Sequence, residues 1–502
     1  MVAGDQLSVT ARDRVRQALV LVPHEPTLDP RVHYTAESLA KRYAVTVVAV
    51  VQESEARPKE NWPDAAYPTV RLPYRKHGVL KMCHAFLVLW VEKVLKHRWL
   101  AGKISSAIAT ALLVLLCGLA MPAIALVIGL ELLLLPAVLL TEERLLLFPL
   151  SLRALRKVGR TAERILGLQL PHTVDPFSVS RGLRVTLRML RFTFCCNYLF
   201  WRYVVESTQR PDVVYCHDLY SLQAGLILKR RSATRVIYDS HEYYPYQYQV
   251  WFYAPVIRFY ESVLLRDVDV YITVSPQLAE ELSRTYRVGR VYTIPNVEPC
   301  PRTRTEEKTS AMSLLAEGRL RLLYQGTFGE GRGLEEVLHE WGRVDGTQIA
   351  LFLRGPRNMW LERVEALAEE LGLLGKSVYV LPAVLEKDLI GAAQEADIGL
   401  IPYKGEELSY RFAGPNKLSQ YIHAGLVILG NRLPYVDEII REGQCGLCYD
   451  VRKKGSLAEA VTTLVADRAM VERFKKNSLA FSQSEYNWER YEPTLLKLVS
   501  GV

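Results

Sequence analysis

The sequence predicts an α/β protein of two doubly wound, Rossmann-like domains, with a hydrophobic helical hairpin set into the first. Three observations carry this. Strand and helix signals alternate from Gln17 to Tyr286 and again from Arg319 onward. A stretch rich in Pro, Thr and charge, Glu298 to Glu317, separates the two sets. One long apolar run, Ile104 to Thr141, interrupts the first set. Alternating strands and helices imply parallel sheets covered by helices. At 502 residues, 49% hydrophobic and 23% charged, the chain has the length and composition for two packed cores.

In the first set, Gln17–Val22 reads as a strand, followed by the loop Pro23–Asp29 and a helix from Pro30 to about Tyr43. Asp29 suits the N-cap and Pro30 the first helical turn. Val45–Val51, Asp212–Cys216, Arg235–Asp239 and Val268–Thr273 read as further strands, and Pro276–Tyr286 as a helix. The second set offers strands at Leu320–Tyr324, Ile349–Leu353, Val378–Leu381 and Ile398–Ile401. The expected domains are 1–300, a linker 301–318, 319–475, and a closing segment 476–502 that returns to the first domain.

The apolar run is about twice the length that crosses a bilayer once. It lies within a membrane-associated insertion, 79–165, whose flanking strands share one sheet. The chain must therefore leave and return, and 104–141 is expected to form a hairpin with Pro122 near its middle. Basic residues flank both ends, which places both on the cytoplasmic side. Arg181, Arg184, Arg188, Arg191 and Arg202 recur at near-helical spacing among apolar residues, as in an interfacial helix facing anionic headgroups.

The net charge of +9 calls for an anionic partner. Its clustering beside the apolar run favours membrane lipids over nucleic acid. Met1–Arg16 has no apolar leader core, which suggests a reducing compartment for the soluble part. Of the 8 cysteines, only Cys445 and Cys448 have metal-ligand spacing; without a second such pair they read as packing residues.

Five segments carry the chemistry: His24–Val32 (HEPTLDPRV), Tyr215–Leu219 (YCHDL), Tyr238–Glu242 (YDSHE), Tyr324–Gly333 (YQGTFGEGRG) and Gly414–Gly425 (GPNKLSQYIHAG). A nucleotide-sugar diphosphate is both anchor and leaving group, so its site needs fixed donors aimed at its oxygens. Gly326, Gly329, Gly331 and Gly333 would let backbone approach phosphate at a helix start. Arg332 and Lys417 would add cations.

In this order and spacing the segments resemble family 4 glycosyltransferases, which have the GT-B fold. The resemblance implies transfer from a UDP- or GDP-linked sugar with retention of configuration, the departing phosphate taking the acceptor's proton. It implies no metal and no other cofactor. It places Gly326, Thr327, Gly329, Arg332, Gly333, Asn416, Lys417 and Gln420 at the donor, His241 and Asp218 at the chemistry, and His24, Arg31, His217 and Glu242 on the acceptor side. The family's usual pair of glutamates, eight positions apart, is replaced here by Phe412 and Gln420. Asp267 and Asp269 imitate a metal-binding pair, yet this family gives that place a structural role. With the apolar insertion, the acceptor is expected to be lipid-linked, a polyprenyl-phosphate saccharide or glycolipid at the cytoplasmic face of the cell membrane. Two rival readings are a nucleotide-sugar epimerase and a catalytically degenerate subunit of a polysaccharide assembly complex.

Overall fold

The structure, a computed structural model, describes residues 15–52, 62, 65–74, 176–207, 210–232, 234–248, 253–300 and 311–501. The expected hairpin at 104–141 and the whole of the expected insertion, 79–165, lie outside these residues. Among the described residues, no helix is long and apolar enough to cross a membrane. The chain divides into two compact units, 1–82 with 189–502, and 83–188. Of the latter, only 176–188 are described, as the start of the helix Pro176–Glu206.

The first unit holds two sheets. One contains β1 (Gln17–Val22), β2 (Ala44–Gln52), β3 (Thr69–Tyr74), β4 (Val213–His217), β5 (Arg235–Ser240), β6 (Val270–Thr273) and β7 (Val291–Thr293), in the order β3-β2-β1-β4-β5-β6-β7. The other contains β8 (Leu320–Gln325), β9 (Ile349–Arg354), β10 (Val378–Leu381), β11 (Ile398–Ile401), β12 (Val427–Asn431) and β13 (Gly446–Tyr449), in the order β10-β9-β8-β11-β12-β13. All pairings are parallel. Central strands such as β9 are buried along their whole length, as expected when helices cover both faces.

The order reverses between β1 and β4 in the first sheet, and between β8 and β11 in the second. Ligands of doubly wound sheets bind beyond the C-terminal ends of the strands at such switch points. The chain leaving these four strands carries four of the five segments singled out above, and the fifth, Tyr238–Glu242, spans the end of β5, the neighbour of β4.

Capping fixes the first of those loops. Asp29 accepts the Arg31 amide at 3.0 Å and Pro30 occupies the first turn, so the helix Pro30–Ala40 starts where its sequence dictates. Four strands escape the sequence reading. β3 is a partly exposed edge strand carrying Pro73, β7 is three residues long, and β12 and β13 abut glycines. The expected linker contains a short helix, Ala311–Ala316, whose Met312 is buried in the core.

The boundary at 475/476 also shifts. A continuous helix, Arg468–Ser484, runs through it, and the chain turns only before the helix Trp488–Ser500. That last helix packs on the first domain. Trp488 donates from Nε1 to Ser38 Oγ at 2.9 Å, Lys41 pairs with Glu492 at 2.6 Å, and Arg235 donates to the Leu498 carbonyl at 3.2 Å.

One buried carboxyl in the first domain has a measurable consequence. Glu261 is fully buried and accepts from Tyr238 at 2.8 Å, Tyr286 at 2.5 Å and Tyr271 at 3.4 Å. Burial pushes its pKa up to about 7, against the three phenol donors. The folded state therefore binds more protons than the unfolded state between the ordinary carboxyl range and about 7, and stability falls as pH rises through that window. Glu261→Gln is expected to flatten the loss of Tm from about pH 5 to about pH 8. An unchanged slope in thermal melts would show the carboxyl ionised throughout.

Candidate active site

A cleft of about 610 Å³ opens at the two switch points, lined from both domains. His24, Asp29, Asp218, His241, Glu242 and Tyr244 line it from the first. Gln325, Gly326, Thr327, Arg332, Lys417 and Gln420 line it from the second.

The second-domain wall is cationic. The Arg332 guanidinium lies over the rings of Tyr403, at 4.6 Å, and Tyr410, at 5.3 Å, and donates to the Tyr403 hydroxyl. Burial works against its charge, but Tyr403, Tyr324 and Tyr410 hold its pKa above the ordinary value. Lys417 is 6% exposed, and its Nζ has no hydrogen-bond partner among the described residues. It rests 3.8 Å from the Tyr324 ring centre and 5.0 Å from that of Tyr403. Burial drives its pKa well below the usual lysine range, and the charge of Arg332 pushes the same way. Two cations thus share one tyrosine and repel each other, an arrangement that an anion relieves.

Asn416 and Lys417 begin the helix Asn416–His423, so its positive dipole end also faces the cleft. Gln420 is buried one turn further on.

The glycines act differently from expectation. Gly326 has φ 131°, a backbone conformation that side-chain-bearing residues rarely adopt, while a Cβ there would make only ordinary contact, 3.5 Å from Lys417 Nζ; the backbone, not crowding, calls for glycine. Its N–H is already taken by the Arg354 carbonyl at 2.9 Å. Gly329 and Gly333 do not line the cleft but a smaller neighbouring cavity of about 260 Å³. At Gly333, φ is 75° and a Cβ would meet the Pro402 carbonyl at 1.9 Å, so the glycine serves close backbone packing. The helix Leu334–Trp341 begins beside that cavity, and its first residues are not among those that line the cleft.

The first-domain wall is a carboxylate–histidine cluster. Asp218 has φ 65°, the left-handed conformation that Asp tolerates by local hydrogen bonding. It accepts from Tyr244. His241 Nδ1 lies 3.4 Å from Asp29 and 3.6 Å from Asp218, while its Nε2 lies 3.5 Å from Asp239. Burial opposes its protonation, yet Asp218 and Asp239 raise its pKa well above the ordinary histidine value. Asp29 moves in the opposite sense: burial disfavours its charge, but His241, His24 and His217 hold it well below the ordinary range. His24 Nε2 completes the cluster, 3.7 Å from Asp218 and 3.9 Å from Asp29.

Two expected acceptor-side residues lie beneath this wall. Arg31 is buried at 3% exposure and grips Asp239 with two bonds, at 2.8 and 2.9 Å, and the Ile294 carbonyl at 2.7 Å. It does not line the cleft. His217 is fully buried, 3.1 Å from His241 Nε2, with burial and the neighbouring His241 charge lowering its pKa to about 3. Both position the cluster from behind. Glu242 does line the cleft, and burial, then the charge of Asp218, raises its pKa.

His217, Asp239 and His241 could offer ligand atoms within 4.8 Å of one another. The set suits a cation poorly, because Arg31 and the Tyr215 hydroxyl already fill the Asp239 oxygens. Asp267 and Asp269 are structural: they accept from Arg230 at 2.8 Å and Lys229 at 2.6 Å. Cys445 and Cys448 are free thiols. Phe412 packs near the Tyr243 ring, 6.4 Å between centres, and does not line the cleft.

Sequence reasoning missed the second role of Asp29, which it read as a cap alone. It also missed Tyr244, Tyr403, Tyr410 and Asp239. The signal for Asp29 was present in its place at the end of the β1 loop; Tyr244 lies just past the Tyr238–Glu242 segment, while Tyr403 and Tyr410 are brought in from beyond β11.

Comparison with known proteins agrees with this geometry. The family described as "Glycosyl transferase 4-like domain" matches residues 154–297, and "Glycosyl transferases group 1" matches 319–467. No curated protein sequence matches the chain. Among solved structures, sucrose-phosphate synthase from Thermosynechococcus elongatus is similar at TM-score 0.61 and 15% identity, over 97% of this chain and 99% of that one. Anabaena HepE in complex with UDP follows at 0.59 and 10%, over 97% and 100%. WaaG, a glycosyltransferase involved in lipopolysaccharide biosynthesis, is similar at 0.56 and 13%, over 97% and 100%. At these identities the likeness shows the fold; the two matched domains add the family character. The chain thus carries the paired domains of a family 4-like glycosyltransferase with the GT-B fold.

Proposed function

We propose that this protein transfers a sugar from a UDP- or GDP-linked donor, with retention, to a lipid-linked acceptor at the cytoplasmic face of a membrane. The observation that carries the donor half is the buried, unpartnered ammonium of Lys417 beside Arg332. Such a pair suits a diphosphate whose charge grows as the glycosidic bond breaks. The solved neighbour holding UDP supports a nucleotide of that kind. The acceptor hydroxyl's proton passes to the departing phosphate, so the mechanism needs no strong protein base. In this reading His241, which lies between carboxylates and lines the cleft, contacts the donor sugar or its phosphate. No metal, other cofactor or nucleic acid has a part in this reading. The lipid half rests on the apolar run Ile104–Thr141 with its basic flanks.

Release of nucleoside diphosphate from UDP- and GDP-sugars, with and without membrane lipid extract, tests the reading. Acceptor-dependent release is expected, and Arg332→Ala is expected to lower it by about 10²-fold or more, the cost of losing one preorganised charge-stabilising donor. Donor isomerisation without an acceptor would instead indicate an epimerase. Silence across all donors would leave an inactive assembly subunit.

A further inference from the structure

We propose that Ser275 and Asn296, both in the first domain, are positioning residues for the donor. From across the domain interface they pin the loop Phe412–Pro415, and so aim the start of the helix Asn416–His423, with Lys417, into the cleft. Their task rests on the donor diphosphate lying against Lys417.

That helix does not fix its own start. Its N-cap is Pro415, whose side chain makes no capping bond. The carbonyls just before it are held by the other domain instead. Ser275 Oγ donates to the Phe412 carbonyl at 3.0 Å, and Asn296 Nδ2 donates to the Gly414 carbonyl at 2.8 Å. The two bonds fall two residues apart, so they fix the direction of the loop as well as its place. Between them the backbones touch. A Cβ on Gly414 would stand 3.0 Å from the Val274 carbonyl, and the glycine lets the loop rest directly on the first domain.

Each pin is itself held. Ser275 is fully buried, and its Oγ also accepts the Leu278 amide at 3.2 Å as the cap of the helix Pro276–Tyr286. Asn296 Oδ1 lies 3.4 Å from Arg31 Nη1, and Arg31 grips Asp239, the carboxylate 3.5 Å from His241. A continuous set of polar contacts therefore joins His241 on one wall to the turn that carries Lys417 on the other. Such contacts hold the loop in its binding conformation before a nucleotide arrives. Without them, binding has to order the loop as well, and affinity falls with the fraction already ordered.

Calorimetric titration of UDP and of GDP into the full chain tests the pins, with melting curves in parallel. Ser275 does not line the cleft, so its hydroxyl acts on a nucleotide only through the loop. Ser275→Gly removes that hydroxyl and keeps a residue that helix caps tolerate. Asn296→Ala removes the second donor, while Arg31 Nη1 keeps the Ile294 and Pro295 carbonyls. Each variant is expected to weaken the tighter-binding nucleotide about threefold to tenfold, the worth of one hydrogen bond in the loop. Gln277→Ala is the control. It removes a bond to Glu438 across the same interface, away from the cleft, and is expected to leave affinity unchanged. A residue that only supports the fold lowers Tm and leaves the affinity of the folded protein as it was. Unchanged affinity in the variants that fold overturns the inference, and so does an equal loss in Gln277→Ala. A native chain that binds neither nucleotide overturns the donor assignment instead.

Discussion

Replacing Lys417 by methionine is expected to make the ligand-free protein more heat-stable and, in the same molecule, nearly inactive. The ammonium is buried, has no hydrogen-bond partner among the described residues, and is repelled by Arg332. Methionine matches its length and removes a buried amine whose charging both burial and Arg332 oppose, so Tm should rise by a few degrees. The same change removes a cation from the place where a diphosphate gathers charge, and kcat/KM should fall by about 10²- to 10³-fold. Stability given up for function is the usual signature of an active-site residue. Melting curves and nucleotide-release rates read the two effects separately. A lower Tm with unchanged turnover would make Lys417 a structural lysine.

The second large effect is expected at Arg31. Arg31→Met leaves Asp239 buried against Tyr215 and His217 without its guanidinium, and breaking a buried pair on one side costs about 3–5 kcal/mol. Asp239 also sets His241 from behind, so turnover should fall with stability. The double variant Arg31→Met, Asp239→Asn should recover a large part of the stability, because no bare charge remains. Urea unfolding of the four proteins forms a double-mutant cycle. A loss below about 1 kcal/mol in the single variant would mean that water has entered and solvated Asp239.

These two residues also mark how far sequence could lead. Strand and helix periodicity made both sheets legible, because central parallel strands are continuous apolar runs and Asp29-Pro30 is an unambiguous helix start. Lys417 was legible as a residue of the cleft from its place in Gly414–Gly425. Arg31 was not legible as a buried pin: an arginine in the first turn of a helix looks solvent-facing until β5 brings Asp239 beneath it. The glycines of Gly326–Gly333 misled in the same way. Spacing showed that the chain needed unusual backbone, but only the contact of Gly333 with Pro402 showed why. Of the tyrosines stacked on Arg332, Tyr403 stands in the loop after β11, 71 residues away, and Tyr410 in the short helix Leu408–Arg411, and no local pattern announces them.

The helix Trp488–Ser500 has a consequence for dissecting this molecule. Its residues follow the second domain in sequence yet lie on the first domain, through Trp488, Glu492 and Leu498. Severing the chain near residue 300 would not give two self-sufficient halves. The amino-terminal fragment would bare the surface around Ser38 and Lys41, and the carboxyl-terminal fragment would trail an amphipathic tail with nothing to lie on. Only when mixed could the fragments reconstitute a single enzyme, with the tail as their lacing.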